Sequence, residues 1–218
     1  MTYTIQGCLV SSPLTPLESA RPGWQWYRLT DVARLATGHT PSRRCPEYWK
    51  GDIPWLQLPD IRAQDGRWIQ DTSEHTNQLG LDHSAAVLLP TGTVCLSRTA
   101  SVGFITIMAR PMATSQDFVN WVCGPNLDPE FLMYLFMASR KYIRELGSGA
   151  THHSIYFPAV EAFNVCIPII SEQVRIAAEL TKALIVAEKA RRAAQEHLAA
   201  IDALPDALLR RAFQGDPS

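Results

Sequence analysis

No apolar run in this chain approaches the roughly 20 residues that span a bilayer. The first thirty residues hold no basic segment leading into an apolar one, so no secretion signal is readable. Cysteine is scarce and unpatterned: Cys8, Cys45, Cys95, Cys123 and Cys166 are odd in number and far apart. That excludes the disulfide frameworks of small secreted domains and the paired thiols of zinc ribbons. Free thiols of this kind are expected as small apolar packing residues. Net charge is nearly absent, twenty Lys and Arg against twenty-one Asp and Glu giving a formal −1. Such a balance argues against a strongly basic nucleic-acid binder acting alone, because non-specific affinity comes chiefly from neutralised phosphates. A local basic face stays open. The expectation is a cytoplasmic protein with no membrane contact.

Catalytic signatures are missing too. There is no G-x-S-x-G elbow, no Walker A loop and no G-x-G-x-x-G fingerprint. His152-His153 is a dipeptide, not the i, i+4 pair that places two ligands on one helix face, so no metal is expected. None of Lys50, Lys141, Lys182 and Lys189 follows an acid by two residues, which removes the usual Asp/Glu-x-Lys nuclease signature. Asn/Asp-Pro-Pro-aromatic methyltransferase motifs are absent as well. The chain reads as non-catalytic, with no cofactor of its own.

What is present divides into two textures. Residues 1–170 hold thirteen of the fifteen prolines and mix short apolar runs with Gly, Asp and Asn. Strands are expected at Trp26–Leu29, Ile53–Leu56, Val94–Arg98, Phe104–Met108, Phe118–Cys123 and Phe163–Ile167. Thr30 is expected to cap a short helix through Ala36, ended by Gly38, and Asp65-Gly66 marks a turn. Asp128-Pro129-Glu130 is a helix start, with a helix running to about Leu146 and a loop at Gly147-Ser148-Gly149. Many short strands with few helices predict an α+β fold: one mixed α/β domain, then a long coiled-coil helix and a short helix.

From Ser171 to Ala203 there is no Gly or Pro, and strong helix formers dominate. Positions 177, 180, 184, 187, 191, 194, 198 and 201 step by three and four. They hold Ala177, Leu180, Leu184, Ala187, Arg191, Ala194, Leu198 and Ile201, apolar at all but Arg191. A rod of about 46 Å with one apolar stripe calls for a partner helix. Pro205 is expected to end it, with Asp206–Phe213 a separate short amphipathic helix.

Four separated segments carry a more specific signal. The first is Leu29-Thr30-Asp31-Val32-Ala33 with Thr37-Gly38-His39-Thr40-Pro41-Ser42-Arg43-Arg44. The second is Tyr48-Trp49-Lys50-Gly51-Asp52-Ile53-Pro54-Trp55-Leu56, continuing to Pro59-Asp60-Ile61. The third joins Leu89-Pro90-Thr91-Gly92-Thr93-Val94, Ser97-Arg98-Thr99-Ala100-Ser101-Val102-Gly103 and Ala113-Thr114-Ser115-Gln116. The fourth is Gly147-Ser148-Gly149-Ala150-Thr151, then Asn164–Pro168 and Ser171-Glu172-Gln173-Val174-Arg175-Ile176. In this order and spacing they resemble the specificity (S) subunit of type I restriction–modification enzymes.

The resemblance implies a target recognition domain over 1–170, its first 23 residues a poorly defined extension, and a spacer or dimerisation helix with a short terminal helix over 171–218. It implies double-stranded DNA as ligand, and a DNA adenine methyltransferase subunit as partner. That partner carries S-adenosylmethionine, and a translocating restriction subunit joins where one exists. A full family member has two recognition domains and two spacer helices; this chain has one of each. Two copies paired antiparallel through Leu180, Leu184, Ala187, Ala194, Leu198 and Ile201 would rebuild the full plan. They would read an interrupted palindrome, with roughly 13 base pairs as the loose upper scale of half-site separation. The competing reading is a truncated S-like assembly or decoy protein that binds partners without productive DNA recognition.

Sixteen of the twenty basic residues are Arg, whose fork suits bidentate contacts. Arg43 and Arg44, in a Thr/Pro/Ser loop, are the first candidates for DNA contact. Arg98, Thr99 and Ser101 follow one strand motif and Ser115 and Gln116 another, matched by the resemblance; Ser115 stands where many relatives have Asn. Thr151, His152 and His153 follow the Gly-Ser-Gly, and Gln57 and Arg62 flank the second segment. Trp49 and Trp55 are expected as core aromatics, because duplex readout does not use stacking.

Overall fold

A computed structural model describes residues 10–11, 20–147 and 154–214. In chain order, β1 (Val10–Ser11) and β2 (Trp24–Arg28) precede α1 (Leu29–Val32), which runs directly into β3 (Ala33–Thr37). A 3-10 turn at Pro46–Tyr48 leads into β4 (Trp49–Leu56), α2 (Leu58–Ala63), β5 (Arg67–Ile69), β6 (His75–Thr76) and α3 (Gln78–Asp82). Next come β7 (Val94–Ser97), β8 (Ile105–Met108), β9 (Ala113–Thr114) and β10 (Phe118–Cys123). The chain closes with α4 (Pro129–Ala138), α5 (Arg140–Leu146), α6 (Phe157–Glu161), β11 (Asn164–Pro168) and α7 (Ile170–Gln214). It is an α+β fold of many short strands followed by a long helix. Two compact units result, Met1–Val174 and Arg175–Ser218.

The first unit is built on a five-stranded sheet, β3-β10-β7-β8-β5, flanked by the three-stranded sheets β1-β11-β2 and β6-β4-β9. Within the five, only β5 with β8 is parallel. Alternation of side chains along a strand sends Cys95, Met108 and Phe118 to one face, where they join Leu56, Ile61, Ile69, Leu89 and Met112 in a core. Val94, Leu96, Ile105, Ile107 and Trp121 take the opposite face, and α4 packs on β7 and β8. Trp55, Leu81, Ala86 and Ala113 form a second cluster with Trp49 and Ile53 against it. Short helices start where side chains cap them: Asn77 accepts from Gly80 N at 2.9 Å and Asp128 from Phe131 N at 2.8 Å.

Three expectations are corrected. The helix expected from Thr30 to Ala36 stops at Val32, with Arg28 rather than Thr30 at its N-cap. Ala33–Thr37 is instead a strand, because five consecutive pairings with β10 satisfy its backbone and outweigh its helix propensity. The helix expected through Leu146 breaks at Ser139, whose φ of −92° and ψ of 8° end α4 and begin α5. The break lets Arg140 fork onto Asp65, with both N–O distances at 2.8 Å. Pro205 does not end the long helix; α7 is continuous over 45 residues. The ring's φ fits helical backbone, and the carbonyl it leaves without a partner belongs to an exposed stretch where water can satisfy it. Short elements such as β5, β6, β9, α2 and α3 were not foreseen.

Burial controls the thiols. It pushes the Cys95 thiol far above its ordinary range and raises Cys123 to about 12, where the Asp128 carboxylate adds to the effect. Alkylation with iodoacetamide at pH 8 should therefore modify half-buried Cys45 in the native protein, while Cys95 and Cys123 react only after unfolding. Peptide mass mapping reads the order, and native labelling of Cys95 would contradict this core.

Candidate nucleic-acid interface

Strand register brings distant parts of the sequence to one edge of the five-stranded sheet. Thr37 pairs with Val119, Ser97 with Phe118, Leu96 with Ile105 and Arg67 with Thr106. So β3 and β7 end where β10, β8 and β5 begin. The loops after Thr37 and Ser97, the turn before Phe118 and the turn before Arg67 all leave that edge.

The first loop is fixed by close approach. A Cβ on Gly38 would lie 2.0 Å from the Ser115 carbonyl oxygen and 2.2 Å from Thr114 Oγ1, a space only glycine fills. His39 N–H donates to the Thr114 carbonyl at 2.9 Å, and Thr40 Oγ1 donates to Gln116 Oε1 at 2.6 Å. The Trp55 indole N–H reaches the His39 carbonyl at 3.3 Å. Arg43 is held in the scaffold. It pairs with Glu74 at 2.6 Å and lies 3.8 and 4.8 Å from the ring centres of Trp49 and Trp55, which pack edge to face. Its neighbour Arg44 is exposed, and its guanidinium has no partner among the described residues.

The turn after β7 is gripped from several sides. Asp117 accepts Thr99 Oγ1 at 2.8 Å on one oxygen and Ser115 Oγ at 2.9 Å on the other. Ser115 is buried by this, whereas Gln116 is exposed. Arg98 is half-buried, its guanidinium 4.6 Å from the Phe157 ring centre and 3.4 Å from the Ile155 carbonyl. Burial lowers its pKa from the usual arginine range, with the Asp117 charge acting the other way. Among the described residues its Nε is buried without a hydrogen-bond partner. Arg62, exposed at the end of α2, donates through Nε to Ser101 Oγ at 2.9 Å and also through Nη2. Gln57 sits at the start of the same helix. There Asp60 accepts its backbone N–H at 3.1 Å, and its side-chain amide donates to Ser73 Oγ at 3.1 Å. Thr151, His152 and His153 lie outside the described residues; the next residue, Ser154, bridges to Thr99.

Sequence reasoning missed two residues here. Arg144 Nε donates to the Val102 carbonyl at 3.2 Å, and Arg140, four residues earlier, holds Asp65 beside β8. Asp65 also accepts Ile105 N–H at 3.0 Å, so one carboxylate ties α5 to the start of β8. Both arginines pack over Gly103, whose φ is +88°. Their i, i+4 spacing was visible, but attention to the apolar side of that helix passed over its basic side.

Loops offering arginines, amides and hydroxyls at one sheet edge make a recognition scaffold. Among the described residues no cluster of His, Cys, Asp or Glu could hold a metal ion, and no helix is long and apolar enough to cross a membrane. Residues 22–192 match the type I restriction modification DNA specificity domain, and the chain belongs to that family. Such a domain recognises rather than catalyses. The chain is similar to the specificity subunit of type I restriction enzyme MjaIX from Methanocaldococcus jannaschii, 27% identical over 160 residues, covering 72% of this chain and 37% of that subunit. It is similar also to the HindI specificity subunit of Haemophilus influenzae, 28% identical over 132 residues, covering 59% of this chain and 28% of that one. Solved structures share the fold. A chain of a type I R-M system, solved for its complex assembly and conformational transition, superposes with a TM-score of 0.74 at 22% identity, covering 92% of this chain and 48% of that one. The HsdS subunit from Thermoanaerobacter tengcongensis gives 0.66 at 20% identity, covering 95% and 48%. This chain spans less than half the length of these relatives.

Gly38→Ala should force the first loop off Thr114–Ser115 and lower stability by about 1–3 kcal/mol. Urea denaturation followed by tryptophan fluorescence checks it; an unchanged midpoint would contradict the close approach.

Proposed function

We propose that this chain is the DNA-recognition part of a type I restriction–modification complex. It directs a methyltransferase subunit, which carries S-adenosylmethionine, and a translocating nuclease subunit where one is present, to a bipartite target. The observation that carries this reading is the convergence of Arg62, Arg98, Thr99, Ser101 and Gln116, from three separated stretches of the chain, on one sheet edge. Exposed Arg44, Arg62, Arg144 and Gln116 are the proposed DNA contacts, with Thr151, His152 and His153 as further candidates. Arg43, Gln57, Thr99 and Ser115 are already bonded within the protein and hold the reading loops in place. Phosphate contacts set register and base contacts set sequence, so the two kinds separate experimentally.

The second copy supplies the other half-site. From Leu180 onward the stripe of α7 is exposed, with Leu184 at 46%, Leu198 at 59% and Ile201 at 60%, and Ala187 and Ala194 open beside them. An exposed apolar seam of this length calls for a matching helix, and a copy of itself in antiparallel orientation provides one. Arg191, the one charged stripe position, is neutralised by Glu188 at 2.7 and 2.9 Å. A two-fold dimer presents two identical recognition units in inverted orientation.

Mapping methylated adenines in a host carrying the protein with its methyltransferase tests this reading. Two identical half-sites in inverted orientation are the expected result, and an asymmetric bipartite motif would overturn the homodimer. In gel-shift assays with the methyltransferase present, Arg62→Ala and Arg44→Ala should each weaken binding. Removing an arginine that grips phosphate weakens all sequences alike and reduces the salt slope by about one; removing one that reads a base costs about 1–3 kcal/mol and relaxes one position. Retention unchanged in both variants would remove these residues from the interface.

A further inference from the structure

Arginine charge in the first unit is handled in two ways. Arg43, Arg110 and Arg140 each donate to a carboxylate, that of Glu74 at 2.6 Å, Asp71 at 3.1 Å and Asp65 at 2.8 Å. A carboxylate fixes a guanidinium in place, but it also cancels the charge and occupies donors that another anion would use. Arg62 is fixed differently. Its Nε donates to Ser101 Oγ at 2.9 Å, and its Nη2 donates to the same oxygen. No carboxylate pairs with it among the described residues, and its Nη1 donates to none of them. A hydroxyl carries no net charge, so this exposed side chain is oriented while its full charge stays at the surface.

The turn that carries Ser101 is itself over-determined. Ala100, just before it, has a φ of +53°, a left-handed backbone that residues with a Cβ seldom adopt. Buried Ser97 ties the turn from inside: its Oγ donates to the Ser101 carbonyl, and its own carbonyl accepts Gly103 N–H at 3.0 Å. Ser101 N–H donates to the Thr99 carbonyl at 2.5 Å, and Thr99 Oγ1 is anchored on Asp117. Arg144 reaches the same turn from α5 through the Val102 carbonyl. A strained residue such as Ala100 persists only where its surroundings hold it, and here they fix one hydroxyl in front of one arginine. Resting on the DNA-recognition role proposed above, we infer that Ser101 is a positioning residue that presents Arg62 to a DNA phosphate. Two of the three guanidinium nitrogens are turned to Ser101, which leaves the Nη1 end for the ligand. A base edge takes arginine as a two-armed fork, whereas a phosphate accepts a surface charge from many directions. Preorientation removes part of the side-chain ordering that binding otherwise costs. Ser101 therefore raises affinity without touching DNA, and does so for every sequence alike.

A double-mutant cycle on the full chain in complex with its methyltransferase tests this. Fluorescence anisotropy reads binding to a duplex carrying the methylated motif and to an unrelated duplex. Ser101→Ala should weaken both alike, by about three- to tenfold. Ser101→Thr keeps the hydroxyl and should restore affinity to within about twofold. In the Arg62→Ala background, Ser101→Ala should change affinity by less than about 1.5-fold. An equal loss in both backgrounds would make Ser101 a mere support of the turn and overturn the inference, as would no loss in either. Methylphosphonate scanning, which removes one phosphate charge at a time, locates the contact: one position should weaken the wild-type complex and leave the Arg62→Ala complex unaffected. A loss in Arg62→Ala confined to one base pair of the motif would assign Arg62 to base readout and overturn the phosphate. A wild-type complex that does not prefer the motif over the unrelated duplex would instead overturn the recognition role on which the inference rests.

Discussion

The register of β10 is the constraint on which the interface depends. This strand pairs over five positions with β3 and four with β7, and Phe118 and Trp121 fill the two faces of the sheet from it. Because side chains alternate and both faces are buried, a slip of one residue would exchange the faces of Phe118 and Val119 and set each in a space packed for the other. The same register sets Ser115, Gln116 and Asp117 at the sheet edge. From there Asp117 holds Thr99, Ser115 lies under Gly38, and Gln116 receives Thr40. One strand's pairing therefore positions three loops at once. A recognition module gains from this arrangement, since loop side chains can vary in identity while their origins stay fixed.

Near-zero net charge takes on a specific meaning once the arginines are located. Arg43 is paired with Glu74 and Arg140 with Asp65, so part of the basic complement is scaffold. Along the helix Arg175 meets Glu179 at 2.6 Å and Arg191 meets Glu188. The proposed function assigns the phosphate contacts to a small exposed set, Arg44, Arg62 and Arg144. In the proposed role a single unit of this kind grips DNA weakly. Under the proposed function, affinity comes from duplication through α7 and from the methyltransferase, which links two weak half-site contacts into one stronger engagement.

Much of this was legible in the sequence, and the reasons are local. Asp128-Pro129-Glu130 marked a helix start because capping and proline geometry act within four residues. Phe118–Cys123 was readable because β-branched and aromatic residues dominate it. The long helix announced itself through its stripe and its freedom from glycine. The failures arise where surroundings outweigh local rules. Ala33–Thr37 has nothing strand-like in itself; β10, more than eighty residues away, makes it a strand. Pro205 is a breaker by local rules, yet exposure to water lets the helix run through it. At the interface, the residue types were legible but their commitments were not. Nothing near Arg43 in sequence reveals that Glu74, Trp49 and Trp55 surround it. Ser115 gives no local sign that Asp117 and Gly38 bury it.

The central claim is that this one edge of the five-stranded sheet faces DNA. The opposite edge carries its own polar cluster, where Asp71 accepts His75 at 2.7 Å and Arg110 at 3.1 Å, and so provides an internal comparison. Photocross-linking from 5-iodouracil-substituted target DNA in the complex with the methyltransferase, mapped by mass spectrometry, measures which edge is in contact. Cross-links within residues 38–45, 98–104 and 115–117 are the predicted result; cross-links confined to the segments around Asp71 and Arg110 would contradict the account.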